Sequence, residues 1–324
     1  MNLYLFEDGK LSRKNNTLLF TAKKGEEIFY PIKTIKTIFV FSRIDIEASA
    51  FEILKKASTN IYFLSSDHRQ IYALCNGFPA EGKYLISQVT GYLNEKRLTI
   101  AKGIVYSTCH NMIAVLKYYQ RKSEEIASRI ENLKKKKRII KTIVNIDRLL
   151  LLEASLWKEY YACFSYILDM PFKRIQQNAD DIINNLINFL NGVLYSTCLD
   201  QIFLARLNPS IAYLHATNER TFSLQFDISE MFKPLLVERT IFSMIHKRMF
   251  DLNGCLEIKD GKYRLKKEIS KIAIIEFNHH LDSTIKIKNR FYSYRSLIFV
   301  DCIGLRSYLI GEKEKISFYK SIHR

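Results

Sequence analysis

Residues 76–83 read NGFPAEGK. Asn76, Gly77, Pro79 and Gly82 crowd turn-forming chemistry into one short stretch, which marks a linker between separately folded parts. The periodicity of the chain changes across it. On the N-terminal side, short β-branched and aromatic runs dominate: Leu3–Phe6, Thr17–Ala22, Glu26–Ile32, Ile35–Phe41, Asn60–Ser65 and Gln70–Cys75. Asp8-Gly9 carries a hairpin-turn signal and residues 66–69 a second turn. Ile46, Ala50, Ile53, Leu54 and Ala57 repeat at helical spacing, so one helix interrupts the strands.

On the C-terminal side, apolar residues recur with a helical period through residues 84–119, 120–138, 139–169, 179–207, 224–250, 263–282 and 291–311. Pro234 falls inside one of these segments, where it should kink the helix. Residues 317–324 read as a frayed basic tail. The expected fold class is therefore α+β, with an N-terminal β-rich domain (residues 1–75), the linker (76–83) and an all-α C-terminal domain (84–324).

The chain has 324 residues, 48% of them hydrophobic, and a formal net charge of +17. The length supports a large core or two domains. The charge favours a polyanionic partner, nucleic acid before an anionic membrane. No apolar run is long enough to span a bilayer, and the N-terminus shows no signal-peptide pattern. The six cysteines are scattered without a CxxC pair, as expected of reduced core residues in a cytoplasmic protein.

The chemistry concentrates in Leu207–Pro234, LNPSIAYLHATNERTFSLQFDISEMFKP. His215 ends an apolar run. Asp227 and Glu230 follow, three residues apart and so on one face of a helix that Ser223 or Thr221 would cap. Alone, such a histidine is usually a core or capping residue, and such acids a solvated face. Brought together, an imidazole and carboxylates suit Mn²⁺ or Mg²⁺. Glu153 lies in the apolar run LLLLEASLW, where a carboxylate is either buried and paired or a ligand. Elsewhere, Lys134, Lys135, Lys136 and Lys137 form a basic run that is either a solvated helix face or a phosphate contact. A looser cluster, Lys286, Lys288, Arg290 and Arg295, is interleaved with Phe291, Tyr292 and Tyr294.

Glu153-Ala154-Ser155-Leu156-Trp157-Lys158-Glu159-Tyr160-Tyr161, then Leu207-Asn208-Pro209 with Leu214-His215, then Leu224, Asp227, Glu230, Phe232, Lys233 and Pro234 resemble, in that order, the signature of the CRISPR-associated endonuclease and integrase family of spacer acquisition. Val237-Glu238-Arg239 is similar to the segment that follows there. Departures are Ala154 for a glycine, and Lys158 and Lys233 for arginines. The resemblance covers nearly the whole chain. It implies metal ligands at Glu153, His215 and Glu230, with Asp227 as an auxiliary catalytic acid. It also implies a β-rich dimerisation domain, a helical catalytic domain, a homodimer, a small adaptor partner and double-stranded DNA as substrate. The implied reaction is phosphodiester transesterification that inserts captured fragments into a CRISPR array. Lys158, Tyr160, Lys233, Arg239 and the Lys134–Lys137 run are then candidates for DNA contact, against ordinary salt-pair or core roles. A metal-dependent nuclease or junction-processing enzyme without integration is one alternative; a non-catalytic DNA-binding scaffold is another.

Overall fold

The computed structural model describes residues 2–64, 71–74, 81–215, 222–259 and 261–322. The chain divides into two compact units, Met1–Phe78 and Pro79–Arg324. Residues 66–69, most of the expected linker and the polar link after His215 lie outside the described residues.

The first unit holds strands β1 (Asn2–Leu5), β2 (Gly9–Lys14), β3 (Thr17–Ala22), β4 (Glu27–Pro31), β5 (Thr37–Val40), β6 (Ile44–Ile46), β7 (Asn60–Leu64) and β8 (Ile71–Leu74), with helix α1 (Ala48–Ala57). They form two four-stranded sheets, ordered β1-β5-β7-β8 and β4-β3-β2-β6. In the first, β1, β5 and β7 run parallel and β8 antiparallel to β7. In the second, β2, β3 and β4 are antiparallel and β6 runs parallel to β2. Alternate residues, Leu3 and Leu5, Leu18 and Phe20, Ile38 and Val40, meet Ala50, Ile53 and Leu54 of α1 in one core. The hairpin turn falls at Asn15-Asn16, between Lys14 and its partner Thr17, and not at Asp8-Gly9. Asn15 supplies the positive φ, 56°, which asparagine tolerates. Gly9 instead opens β2, where a Cβ would lie 2.5 Å from the Thr21 carbonyl oxygen.

The second unit holds α2 (Gly82–Leu93), α3 (Lys96–Tyr119), α4 (Glu124–Ile139), α5 (Ile146–Tyr161), α6 (Phe164–Leu168), α7 (Ile182–Leu204), α8 (Leu224–Lys233), α9 (Arg239–His246), α10 (Lys267–Asp282) and α11 (Tyr294–Leu309). Gly82 and Lys83, expected in the linker, already belong to α2. α7 is apolar on nearly every side and is buried around almost its whole circumference, the pattern of a central helix. α8 packs against both α3 and α7. Two antiparallel hairpins are set into this helical unit: β9 (Leu256–Lys259) with β10 (Lys262–Leu265), and β11 (Thr284–Ile287) with β12 (Arg290–Ser293). They account for the helical segments beginning later than the periodicity suggests.

Pro234 is accommodated by a π-helical turn, Pro234–Glu238, between α8 and α9. Such a turn absorbs the hydrogen bond that proline cannot make without ending the helix. Through Ile322 the tail is docked rather than frayed. Phe318 and Tyr319 are buried. The Tyr319 amide donates to both Asp301 oxygens at 3.0 Å, and the Ser321 amide donates to Asn111 Oδ1 at 2.8 Å. Asn111 in turn donates to the Met231 carbonyl at 2.8 Å, so one amide of α3 ties the tail to α8.

Candidate metal centre

α8 carries Asp227 and Glu230 on its buried face, not on a solvated one. Its apolar residues, Leu224, Ile228, Met231 and Phe232, require that face to enter the core. Two carboxylates are therefore drawn inside, and their partners decide what each can do. Ser223 precedes the helix but makes no side-chain cap; its hydroxyl donates to the Ser210 carbonyl at 2.8 Å. Thr221 lies outside the described residues.

Asp227 is fully buried. It accepts the amides of Tyr213 (2.6 Å), Leu214 (2.9 Å) and His215 (3.0 Å), and His215 Nδ1 at 2.8 Å. One carboxylate thus shapes the backbone that presents His215 and fixes the ring. With Nδ1 donating to Asp227, Nε2 is the nitrogen left for a ligand. Burial alone would lower the His215 pKa. The Asp227 bond and the charges of Asp227 and Glu230 outweigh it, and the pKa ends above its usual value.

Glu230 pairs through Oε1 with the Lys233 ammonium, while its Oε2 is buried without a partner. Lys233 also lies over two rings, 5.6 Å from the centroid of Trp157 and 5.3 Å from that of Tyr195. Glu153 comes from α5, whose start is capped by Asn145 accepting the Arg148 amide. Burial and the Glu230 charge push its carboxyl up to about 7, against the opposing pull of His215, Lys233 and a hydrogen bond from Trp157. Charge interactions among Glu153, His215, Glu230 and Lys233 contribute to these shifts. Two carboxylates, one of them with an unpartnered oxygen, and an imidazole nitrogen are a donor set that suits a hard divalent cation.

The arrangement is open. Among the described residues, the group of histidine, cysteine and acidic side chains whose donor atoms all lie within 4.8 Å of one another is Glu276, His279 and His280, not Glu153, His215 and Glu230. Nor do all expected DNA contacts face outward. Tyr160 is fully buried among Trp157, Tyr161 and Phe164, so it is a core tyrosine and leaves the DNA-contacting set. Lys233 is committed to Glu230. Lys134 pairs with Glu131, Lys136 with Glu159 at 2.9 Å, and Lys137 lies 2.9 Å from His110 Nδ1 and 4.5 Å over the Tyr106 ring. Lys135, Lys158 and Arg239 are exposed.

Sequence reasoning passed over Glu238, in the π-helical turn. It is fully buried, both of its oxygens lack partners, and burial pushes its carboxyl up to about 7. The signal was present: an acid inside PLLVERTIF, the same anomaly that exposes Glu153.

A family model described as CRISPR associated protein Cas1 matches residues 3–279. The chain belongs to the Cas1 family. It is 32% identical to the CRISPR-associated endonuclease Cas1 of Fusobacterium nucleatum subsp. nucleatum, covering 98% of this chain and 96% of that one. It is 30% identical to that of Haloferax volcanii, covering 95% of each. The fold superposes on a solved Cas1 protein from Thermotoga maritima with a TM-score of 0.85 at 27% identity, covering 99% and 100% of the two chains. A casposase bound to integration product shares the fold at a TM-score of 0.86 and 20% identity. The strand-rich region followed by a helical region is therefore the Cas1 architecture.

Proposed function

We propose that this Cas1 protein is a metal-dependent DNA endonuclease and integrase that inserts captured DNA fragments into a CRISPR array. The observation that carries the reading is the Asp227 bond that aims the His215 ring, together with the buried Glu230 Oε2 left without a partner and the charge coupling of Glu153 to Glu230 and His215. Glu153, His215 and Glu230 would hold Mn²⁺ or Mg²⁺, which would polarise the phosphate and stabilise charge on the reacting oxygens. Asp227 keeps His215 in the tautomer that presents Nε2. Lys233 balances the charge of Glu230. Lys135, Lys158 and Arg239 hold the backbone through charge alone, so binding is largely independent of base sequence.

Assembly follows from relatives and from the strands. A chain of the same fold occurs in a Cas6-RT-Cas1–Cas2 complex, which supports a small adaptor partner. Edge strands β4 and β6 need cover, which a homodimer through the first unit would provide. No helix among the described residues is long and apolar enough to cross a membrane. The five described cysteines are free and buried, in keeping with a cytoplasmic protein.

The decisive experiment supplies purified protein, its adaptor, Mn²⁺ or Mg²⁺, a short duplex with 3′-hydroxyl ends and a plasmid bearing a repeat array. Covalent joining of the duplex at the repeat is expected, with loss on chelation. Nicking without joining would leave a plain nuclease. DNA binding with neither reaction would leave the scaffold. A readout independent of activity is the single tryptophan. Because Trp157 follows Glu153 by four residues on α5 and so shares its face, Mn²⁺ should quench its emission saturably, and Glu153→Ala should remove that phase.

A further inference from the structure

The group with converging donor atoms, Glu276, His279 and His280, stands apart from everything used so far. The three residues follow one another at i, i+3 and i+4 on α10 and so share a face of that helix. Glu276 is buried and His279 is exposed. The hydrogen bonds around His280 define its protonation. The Thr240 hydroxyl donates its one hydrogen to the Leu236 carbonyl. It can therefore only accept from His280 Nδ1, 2.9 Å away. The ring then carries its hydrogen on Nδ1, and Nε2 presents a lone pair.

That lone pair faces Glu276 Oε1 at 3.7 Å. Two acceptors turned toward each other repel unless a cation stands near them. The cation present is Lys247, which reaches Glu276 Oε1 at 2.8 Å from an exposed position, with Ser243 donating to the same oxygen at 2.7 Å.

We propose that Glu276, His279 and His280 form a second metal site, separate from the Glu153 pocket, that takes a zinc-class divalent ion. Two imidazoles and one carboxylate are a donor set for Zn²⁺ with a fourth, open position, and are poorly matched to Mg²⁺. Thr240 is the outer partner that orients His280, as metal-binding histidines require. Lys247 is the competitor: its ammonium must leave Glu276 as the ion enters. Binding thus exchanges a tie between the end of α9 and α10 for a clip along α10 alone.

The test is competition between the intact, tag-free protein and a chromophoric chelator for Zn²⁺. Wild type is expected to hold one equivalent that His279→Ala and Glu276→Gln weaken by at least about tenfold, and Thr240→Val by about 10–100-fold. Lys247→Met is expected to tighten it, because the competing cation is gone. His279 and Lys247 are exposed, so their variants keep the fold and give shifts of opposite sign. Co²⁺ loaded in place of Zn²⁺ should give a visible absorption band that His279→Ala removes. The proposal is overturned if His279→Ala and wild type bind the same number of equivalents equally tightly, or if Lys247→Met fails to tighten binding.

Discussion

His215 and His280 each face a buried carboxylate, yet their surroundings drive them in opposite directions. His215 gives its Nδ1 hydrogen to Asp227, an anion, at 2.8 Å, and its pKa rises. His280 gives its Nδ1 hydrogen to a threonine hydroxyl, a neutral acceptor, and its pKa falls to about 4. Both rings lose hydration; only one gains an ionic partner at the donating nitrogen. The carboxylate in front of His280 does not compensate, because Lys247 and Ser243 already hold its oxygen. Counting acids near a histidine is therefore insufficient. The atom that each acid oxygen already serves decides the outcome.

The strongest way to separate the two clusters is by activity. Glu153→Ala and Glu230→Ala should abolish joining and nicking in gel assays while leaving DNA affinity within about twofold, since the exposed cations are untouched. His279→Ala should leave both reactions intact. Loss of joining in His279→Ala but not in Glu153→Ala would reverse the assignment of the two regions.

Asp227 comes next. Asp227→Ala strands two buried amides, each costing about 1–3 kcal/mol, and the half-buried His215 amide, so the variant should unfold at distinctly lower urea concentration as well as lose activity. Asp227→Asn keeps an acceptor but weakens the hold on His215, and should reduce joining about 10–100-fold with a smaller loss of stability. Normal stability in Asp227→Ala would mean that the backbone around Tyr213–His215 does not depend on this carboxylate.

The pH dependence of folding gives a smaller effect with two signs. A histidine whose folded pKa is lowered withdraws stability as pH falls, because the unfolded chain takes up the proton first. For His280 that loss runs from about 6.5 down to about 4 and amounts to no more than about 3 kcal/mol. His215 behaves in reverse: its raised pKa contributes stability at low pH that disappears as pH climbs through the folded pKa, above 6.5. Urea midpoints in chelated buffer should show a shallower acid-side slope in His280→Gln and a shallower alkaline-side slope in His215→Gln. Identical slopes in the two variants would erase the contrast between the rings.

Salt dependence of DNA binding shows the smallest effect. Lys135→Gln should flatten the logarithmic salt slope by up to about one, as one phosphate contact is lost. Lys136→Gln should barely change it, because Lys136 serves Glu159 at 2.9 Å, and should instead lower stability slightly. Equal slopes in both variants would return the whole run to a solvated helix face.

The unequal behaviour of these lysines shows where sequence reading succeeds and stops. The change of period after residue 76 announces the strand-rich and helical regions because burial imposes a period of two or 3.6 on apolar residues. Glu153 and His215 stand out because a polar group in an apolar run demands an explanation. Partners distant in sequence leave no such mark. Nothing in KKKKR says that Lys136 will meet Glu159 while Lys135 faces outward, and nothing in NHHLD says that Thr240 will fix a tautomer. The tail was misread for the same reason: SFYK looks basic and short, but its anchors, Ser107, Asn111 and Asp301, lie far upstream. Hairpins β9–β10 and β11–β12 escaped notice because four-residue strands cannot compete with the helical periodicity on either side.

The π-helical turn at Pro234–Glu238 sets a tolerance of a different kind. A π turn holds more residues than an α turn, so α9 starts rotated from where an uninterrupted α8 would have delivered it. Glu230 lies before the turn, paired with Lys233, and Thr240 after it, bonded to His280. Substitutions within PLLVE change only side chains. Removing a single residue would restore an unbroken helical register and swing every later side chain of α9 by about 100°. Thr240 would lose His280, and Ser243 would leave Glu276. Length, more than composition, is what this short stretch has to preserve.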